Sequence, residues 1–180
     1  LPPQPGKNNG FGAFDAVVAT PHSWFSECLR RARTALGNGV SPPRCIGVTS
    51  ALPNEGKETV ACNLALLYAS AGMRTVLVDA DVEEPWLSRK ILTNGREAGD
   101  GGPQRECPAP TGMIMRHAFG EVDLLPIDLA KRDRLAQLPD LSDYERVVVN
   151  LPPLAAGADK LRMAGALDGN LIIGEAGRVP

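Results

Sequence analysis

The stretch that most constrains this sequence is SALPNEGKETVACNLA, residues 50–65. It follows a short apolar run at residues 45–48 and opens a pattern with helical periodicity, so Gly56 and Lys57 fall at a strand-to-helix junction. A loop at such a junction directs backbone N–H groups and a helix N-terminus at an anion, and its lysine reaches toward terminal phosphates. The stretch therefore predicts a phosphate-binding loop.

The loop departs from the general pattern G-x-x-x-x-G-K-[ST] at two positions. Ala51 replaces the first glycine, and Glu58 stands where a serine or threonine hydroxyl would meet Mg²⁺. The motif alone leaves phosphate binding undecided, and the surrounding sequence favours it.

Length and charge bound the class of protein. A chain of 180 residues is long enough for one α/β domain with a sizeable core and too short for two. A formal net charge of −2, without a basic stripe, gives no reason to expect nucleic acid as a partner. No apolar run approaches the roughly 18–20 residues that span a bilayer, and the polar, proline-rich first residues do not predict a secretory signal. The chain begins without methionine, which suggests a piece of a longer protein.

The four cysteines are scattered and form no C-x-x-C pair (Cys28, Cys45, Cys62 and Cys107). This spacing argues against a zinc site and against a disulfide framework. Cys45 and Cys62 stand in apolar contexts, where buried free thiols are expected. We therefore predict a reducing compartment.

Strands alternate with helices along the chain. The predicted strands are 44–49, 75–78, 122–126, 147–149 and 171–174, and the predicted helices are 23–36, 57–72, 85–92, 129–138 and 159–167. This order predicts βαβ units, hence a three-layer α/β/α fold with a mostly parallel sheet. Residues 93–112 predict a long surface loop, and residues 1–20 predict a flexible lead-in. We expect residues 21–180 to form a single domain, with a nucleotide-binding core at 44–180.

Two carboxylates, Asp79 and Asp81, follow the second predicted strand. The carboxyl end of an inner strand borders the crevice where open α/β sheets bind ligands. A turn with a helix N-cap would explain Asp81 but would leave Asp79 without a role. We therefore predict that both side chains belong to the functional site.

The first predicted helix carries Glu27, Arg30 and Arg33 at every third position, so these side chains lie close to one face. Local pairing on a solvated face is one explanation. The other is that residues 21–37 form an interface helix. The residues alone leave both open.

Three blocks at this spacing resemble the bacterial tyrosine kinases, which are cytoplasmic P-loop domains of exopolysaccharide and capsule polymerisation proteins. The blocks are S-A-L-P-x-E-G-K at 50–57, V-L-V-D-A-D at 76–81 and Y-x-x-V-V-V-x-L-P-P at 144–153, which resemble the Walker A, A′ and B motifs. The helix with Glu27, Arg30 and Arg33 is similar to the E-x-x-R-x-x-R helix by which those domains pack into rings. The resemblance covers most of residues 23–175.

The resemblance implies ATP or ADP with Mg²⁺ as cofactors, a homo-oligomer, a membrane polysaccharide co-polymerase region or partner, and a position at the cytoplasmic face of the bacterial membrane. It assigns Lys57 to the β- and γ-phosphates, Asp79 to the metal and the attacking tyrosine, and Asp81 to the metal site, so that these three are the implied catalytic residues. The implied phosphate-binding residues are Pro53, Asn54, Glu55, Gly56, Lys57, Glu58 and Thr59, and the implied metal positions are Glu58, Asp79, Asp81 and Asn150. Phosphoryl transfer itself needs mainly in-line positioning and charge neutralisation.

The departures from that family fall on the chemistry. Glu58 occupies the position of the Mg²⁺-ligating hydroxyl, and Asn150 occupies that of the Walker B aspartate. Glu83 replaces the usual arginine of D-x-D-x-R, and Glu84 adds a second negative charge. The tyrosine cluster that such kinases phosphorylate is absent because the chain stops at Pro180, so the C-terminal end is expected to be truncated.

These substitutions predict a pseudokinase-like regulator or scaffold, with weakened nucleotide binding and weak or absent phosphoryl transfer. The Glu58 carboxylate can repel a phosphate, ligate Mg²⁺ or fold back onto Lys57. An active tyrosine autokinase, whose substrate tyrosines lie beyond Pro180 or on a partner, remains the alternative. A Par/Min-type partitioning ATPase is less favoured, because Leu52 stands where those proteins have a second lysine. A dehydrogenase is disfavoured because no G-x-G-x-x-G follows the first strand.

Overall fold

A six-stranded sheet forms the centre of the computed structural model, which describes residues 12–39, 41–81, 85–94, 113–127, 140–157 and 163–177. The strands are β1 (Cys45–Ser50), β2 (Thr75–Asp79), β3 (Met115–Phe119), β4 (Val122–Pro126), β5 (Arg146–Asn150) and β6 (Gly169–Ile173). Their order is β3-β4-β2-β5-β1-β6, with β3 antiparallel to β4 and all other neighbours parallel. The predicted α/β class with a mostly parallel sheet is confirmed.

The helices of the described residues are α1 (Ala16–Ala19), α2 (Trp24–Gly37), α3 (Lys57–Ala69) and α4 (Trp86–Asn94). Ser23 caps α2, since its side chain accepts a hydrogen bond from the backbone N–H of Ser26. The chain leaves α3 through Gly72, whose φ of 81° lies in the left-handed region that favours glycine. None of these helices is long and apolar enough to span a membrane.

Both faces of the sheet are buried. Alternate residues along the inner strands face opposite sides, so Leu77 and Val148 pack with α3 whereas Val76 and Val147 join the cluster on the other face. Residues 61–69 of α3 are all buried between the sheet and the N-terminal helices, and Asn63 is the one amide side chain among them. Each fully buried large apolar side chain stabilises the fold by about 1.5–3 kcal/mol. The packing fixes the helix that follows the phosphate loop.

Part of the predicted flexible lead-in is packed helical structure. Residues 12–20 contain a 3-10 turn and α1, and Phe14 and Val17 are only 4% and 5% exposed. Asn63 of α3 holds this segment, because its side chain accepts from the Val17 N–H at 2.8 Å and donates to the Ala13 carbonyl at 2.7 Å. Composition alone missed this packing, since it depends on a polar side chain some 50 residues away in sequence.

The sequence pattern also missed β3. Arg116 and His117 in its centre are exposed, and His117 has a φ of 49°, so the strand lacks regular period-two alternation. Asp123 of β4 holds the irregular strand, since its carboxylate accepts from the His117 N–H at 2.9 Å and from Arg116 at 3.2 Å. These side-chain hydrogen bonds compensate for the interrupted ladder.

Several predictions fall outside the described residues. They concern the lead-in at 1–11, the loop at 95–112, the helix at 129–138 and the start of the helix at 159–167, together with Glu83 and Glu84. Of the last predicted helix, residues 163–165 are described and are helical.

Candidate functional site

The predicted phosphate loop connects β1 to α3. Its chain turns through two left-handed residues, Asn54 at φ 63° and Gly56 at φ 84°, and Gly56 occupies the N-cap position of α3. Glycine adopts this conformation without steric cost, so the residue before Lys57 suits the sharp turn. The strand–loop–helix arrangement expected from the sequence is therefore present, with Pro53 and Asn54 exposed at the loop tip.

Glu55 ties the loop to the end of β6. One of its carboxylate oxygens accepts from the Leu52 N–H at 2.7 Å, and the other accepts from the Glu175 N–H at 3.0 Å. The backbone adds a bond from the Ala51 N–H to the Ile173 carbonyl at 3.0 Å. The loop is thus held in shape by a side chain that the sequence had placed only among phosphate contacts.

Lys57 is almost fully buried, and its ammonium contacts two carboxylates. Nζ forms an ion pair with Glu58 and another with Asp81 at 2.9 Å. Burial alone would lower the pKa of Lys57, but the hydrogen bonds and charges of Glu58 and Asp81 outweigh burial and raise the pKa. The ammonium therefore remains charged. Glu58 was expected to repel a phosphate, to ligate Mg²⁺ or to fold back onto Lys57. In the structure, its carboxylate folds back onto Lys57.

Asp79 has a structural partner that the sequence did not reveal. Its carboxylate is 2% exposed and accepts from the Ser88 N–H at 2.8 Å and the Ser88 hydroxyl at 2.5 Å. Ser88 is the third residue of α4, so Asp79 satisfies one of the N–H groups that a helix start leaves unpaired. Burial raises the pKa of Asp79, although the hydrogen bonds from Ser88 and Asn150 oppose that effect. In the sequence, the position of Ser88 shortly after Asp79 and Asp81 was the signal that could have indicated this contact.

Asn150 ends β5 beside Asp79 and is fully buried. Its Nδ2 donates to Asp79 Oδ1 at 2.9 Å, an orientation of the amide that follows from the hydrogen-bond network. Its Oδ1 has no hydrogen-bond partner within the described part of the chain. An unsatisfied buried acceptor costs about 1–3 kcal/mol, so this oxygen is a position where a donor or a cation would be accommodated.

The start of α3 has features that suit a phosphate. The left-handed turn at Gly56 and the N-terminus of α3 suit a phosphate, although Lys57 would have to leave its carboxylates to reach one. Among the described residues, no group of three or more acidic, histidine or cysteine side chains is placed to hold a metal ion. Glu58 and Asp81 meet at Lys57, whereas Asp79 meets Asn150.

The predicted interface residues of α2 make contacts within the chain. Glu27 pairs with Arg30 at 3.4 Å and also with Arg31 at 3.1 Å. Arg33 donates to the Leu67 carbonyl of α3 at 2.9 Å. Local pairing therefore accounts for part of the pattern, and the oligomer interface stays a prediction.

Comparison with known proteins adds sequence relatives and a shared fold. No protein-family model matches the chain. It is 34% identical to the succinoglycan biosynthesis transport protein ExoP of Rhizobium meliloti, over 91% of this chain and 23% of that protein. It is 27% identical to the tyrosine-protein kinase CpsD of Streptococcus agalactiae, over 85% of this chain and 70% of that protein. The chain thus spans about a quarter of the first relative's length.

Solved structures share the fold. The kinase domain of the Escherichia coli tyrosine kinase ETK matches with a TM-score of 0.66 and 21% identity, over 92% of this chain and 69% of that domain. This likeness shows the α/β fold. Together, the sequence relatives and the shared fold support placing the chain with the bacterial tyrosine kinase and polysaccharide chain-length family.

Proposed function

We propose that this chain is a kinase-like domain of exopolysaccharide or capsule export that binds nucleotide weakly and transfers phosphoryl groups poorly or not at all. It acts as a regulator or scaffold. The observation that carries this proposal is the ion pairing of Lys57 with both Glu58 and Asp81. The lysine that would neutralise terminal phosphates is already neutralised by the protein.

Electrostatics supports weak binding. A carboxylate ~5 Å from one phosphate charge costs roughly 3 kcal/mol at an effective dielectric constant near 20, or about a hundredfold in affinity. Glu58 stands in the first turn of α3, where a phosphate would otherwise find backbone N–H groups and a positive helix end. To bind at the start of α3, the phosphates of ATP or ADP would therefore have to displace the Glu58 carboxylate.

The substitutions at the implied Mg²⁺-binding positions support weak or absent phosphoryl transfer. Glu58 replaces the hydroxyl, and Asn150 supplies an amide where the family has a carboxylate. Phosphoryl transfer depends on metal ions and positive charge to neutralise the transferred group. An amide can hydrogen-bond a metal-bound water but adds no charge.

The proposed setting follows from the relatives. One of them is named as a transport protein of succinoglycan biosynthesis and is far longer than this chain. We place this domain at the cytoplasmic face of the membrane, working with a membrane co-polymerase region or partner. We retain α2, with Glu27, Arg30 and Arg33, as the proposed surface for self-association.

An active tyrosine autokinase is the second candidate. It is favoured by the intact strand–loop–helix geometry and by Asp79 and Asp81 at the end of β2. Tyr68 and Tyr144 are buried, at 5% and 4% exposure, so an acceptor tyrosine would have to lie on another segment or molecule.

A transfer assay separates the two candidates. The protein is incubated at high concentration with labelled ATP, Mg²⁺ and a tyrosine-bearing peptide tail, beside a Lys57→Ala variant as the background control. We expect no labelling above that control. Lysine-dependent labelling of tyrosine would establish the kinase and overturn the proposed scaffold.

A further inference from the structure

A pocket lies at the edge of the sheet opposite the phosphate loop. It has a volume of about 300 Å³ and forms where β2 begins, between the chain leaving α3 and the β3–β4 hairpin. Its lining includes Arg74, Thr75, Arg116, His117, Asp123 and Tyr144. Strand β2 separates Thr75 from Asp79 by about 13 Å. This basal pocket is therefore distinct from the candidate nucleotide site.

Hydrogen bonds engage Asp123, the buried carboxylate of the basal pocket. Asp123 accepts hydrogen bonds from the His117 N–H, from Arg116 and, at 2.6 Å, from the hydroxyl of Tyr144. Glu121, at the hairpin turn, lies 3.8 Å from the His117 ring and is 81% exposed. Three donors therefore use most of the accepting capacity of Asp123, whereas the Glu121 carboxylate stays exposed at the rim of the pocket.

The two arginines keep donors available. The guanidinium carbons of Arg74 and Arg116 lie 5.6 and 6.0 Å from the centre of the Tyr144 ring. Arg74 forms no ion pair with a carboxylate in the described part of the chain. Glu145 contacts the Arg74 backbone, since its carboxylate accepts from the Arg74 N–H and its own N–H donates to the Arg74 carbonyl, both at 2.9 Å. Arg116 uses one nitrogen on Asp123 and is 62% exposed. Within the described part of the chain, most of the ten N–H groups of the two guanidinium forks therefore have no acceptor.

Tyr144 provides a buried aromatic ring near both cations. Its ring is 4% exposed, and its hydroxyl donates to Asp123. Burial, together with the neighbouring Asp123, raises the pKa of Tyr144 to about 12, so the phenol stays neutral at physiological pH. A neutral buried ring attracts guanidinium groups to its faces and limits their freedom.

We propose that the basal pocket is a second anion site, which binds a phosphate group through Arg74 and Arg116. Two guanidinium forks match an oxyanion with three terminal oxygens better than a carboxylate with two. The volume admits a phosphate with a small organic substituent, so inorganic phosphate and a phosphate ester share the recognising chemistry. The proposal does not depend on the state of the phosphate loop.

The test follows the Nε–Hε signals of arginine and the backbone amides by NMR while inorganic phosphate is added at constant ionic strength. We expect saturable shifts at Arg74, Arg116 and the Thr75 amide. Arg74→Gln and Arg116→Gln should each weaken phosphate binding by about tenfold, because each removes charged hydrogen bonds. Arg89→Gln, on the exposed side of α4, is the matched control and should leave binding unchanged.

A variant of the phosphate loop and a second ligand complete the phosphate titration. Lys57→Gln should leave the basal shifts intact, which separates this pocket from the phosphate loop. Phenyl phosphate binding more tightly than inorganic phosphate would identify an ester as the ligand class, and equal binding would identify free phosphate. Absence of saturable arginine shifts in the unmodified chain, or shifts confined to residues 51–58, would overturn the proposal without requiring any variant to fold.

Discussion

Replacing Glu58 with serine is expected to raise the affinity for ADP by about a hundredfold, measured by calorimetric titration in the absence of metal. The change removes a carboxylate from the start of α3 and leaves Lys57 with a single ion pair, to Asp81. Removing a unit charge ~5 Å from a phosphate is worth roughly 3 kcal/mol at an effective dielectric constant near 20. The same loop backbone would then meet the nucleotide without repulsion.

The matched control for that experiment is Asp143→Ser, which removes an exposed carboxylate from the opposite edge of the sheet. The two variants have the same net charge, so a difference between their affinities for ADP would come from the local effect of Glu58 at the loop. Equal ADP affinities for the unmodified chain and Glu58→Ser would mean that Glu58 does not limit binding. The ion pair with Lys57 would then have no inhibitory role.

Replacing Asn63 with alanine is expected to destabilise the protein by about 3 kcal/mol, because it leaves buried backbone groups without partners. The Asn63 side chain accepts from Val17 and donates to the carbonyls of Ala13 and Thr59 at 2.7 and 2.8 Å. For a domain of this size, the loss lowers the unfolding midpoint by roughly 6–12 °C.

Hydrogen exchange localises that effect. The amide of Val17 should lose protection in Asn63→Ala before the amides of β2 do, since Asn63 is the hydrogen-bond acceptor of the Val17 N–H. Ser70→Ala, at the exposed C-terminal end of α3, should leave both the midpoint and the exchange unchanged. A midpoint within measurement error of the unmodified chain would show that the Asn63 hydrogen bonds contribute no net stability.

The sequence predicted the parts of the fold that depend on local patterns. The apolar runs of β1, β2, β4 and β5, the cap at Ser23 and the glycine before Lys57 each carry a local signal, and the structure contains each of these features. Buried parallel strands read as continuous apolar runs, which makes them the easiest elements to place.

The parts that the sequence missed depend on distant partners. Strand β3 has an irregular pattern and depends on Asp123, and the N-terminal segment depends on Asn63. The role of Asp79 as a partner of Ser88 depends on where α4 begins, which no pattern within the D-A-D block reveals. Of the candidate site residues, the sequence placed Lys57, Asp79 and Asp81 correctly at strand and loop ends, but it could not choose among three orientations of Glu58.

The most direct test of the proposed weak site is thermal unfolding with and without Mg²⁺-ATP, for the unmodified chain and for a Glu58→Ser variant that also carries Asn150→Asp. Ligand at ~100 times its Kd adds about 2.7 kcal/mol, which raises the midpoint by roughly 5–10 °C in a domain of this size. We predict a shift of that size in the double variant and none in the unmodified chain. A comparable shift in the unmodified chain would contradict the account, because the loop would then bind nucleotide despite Glu58.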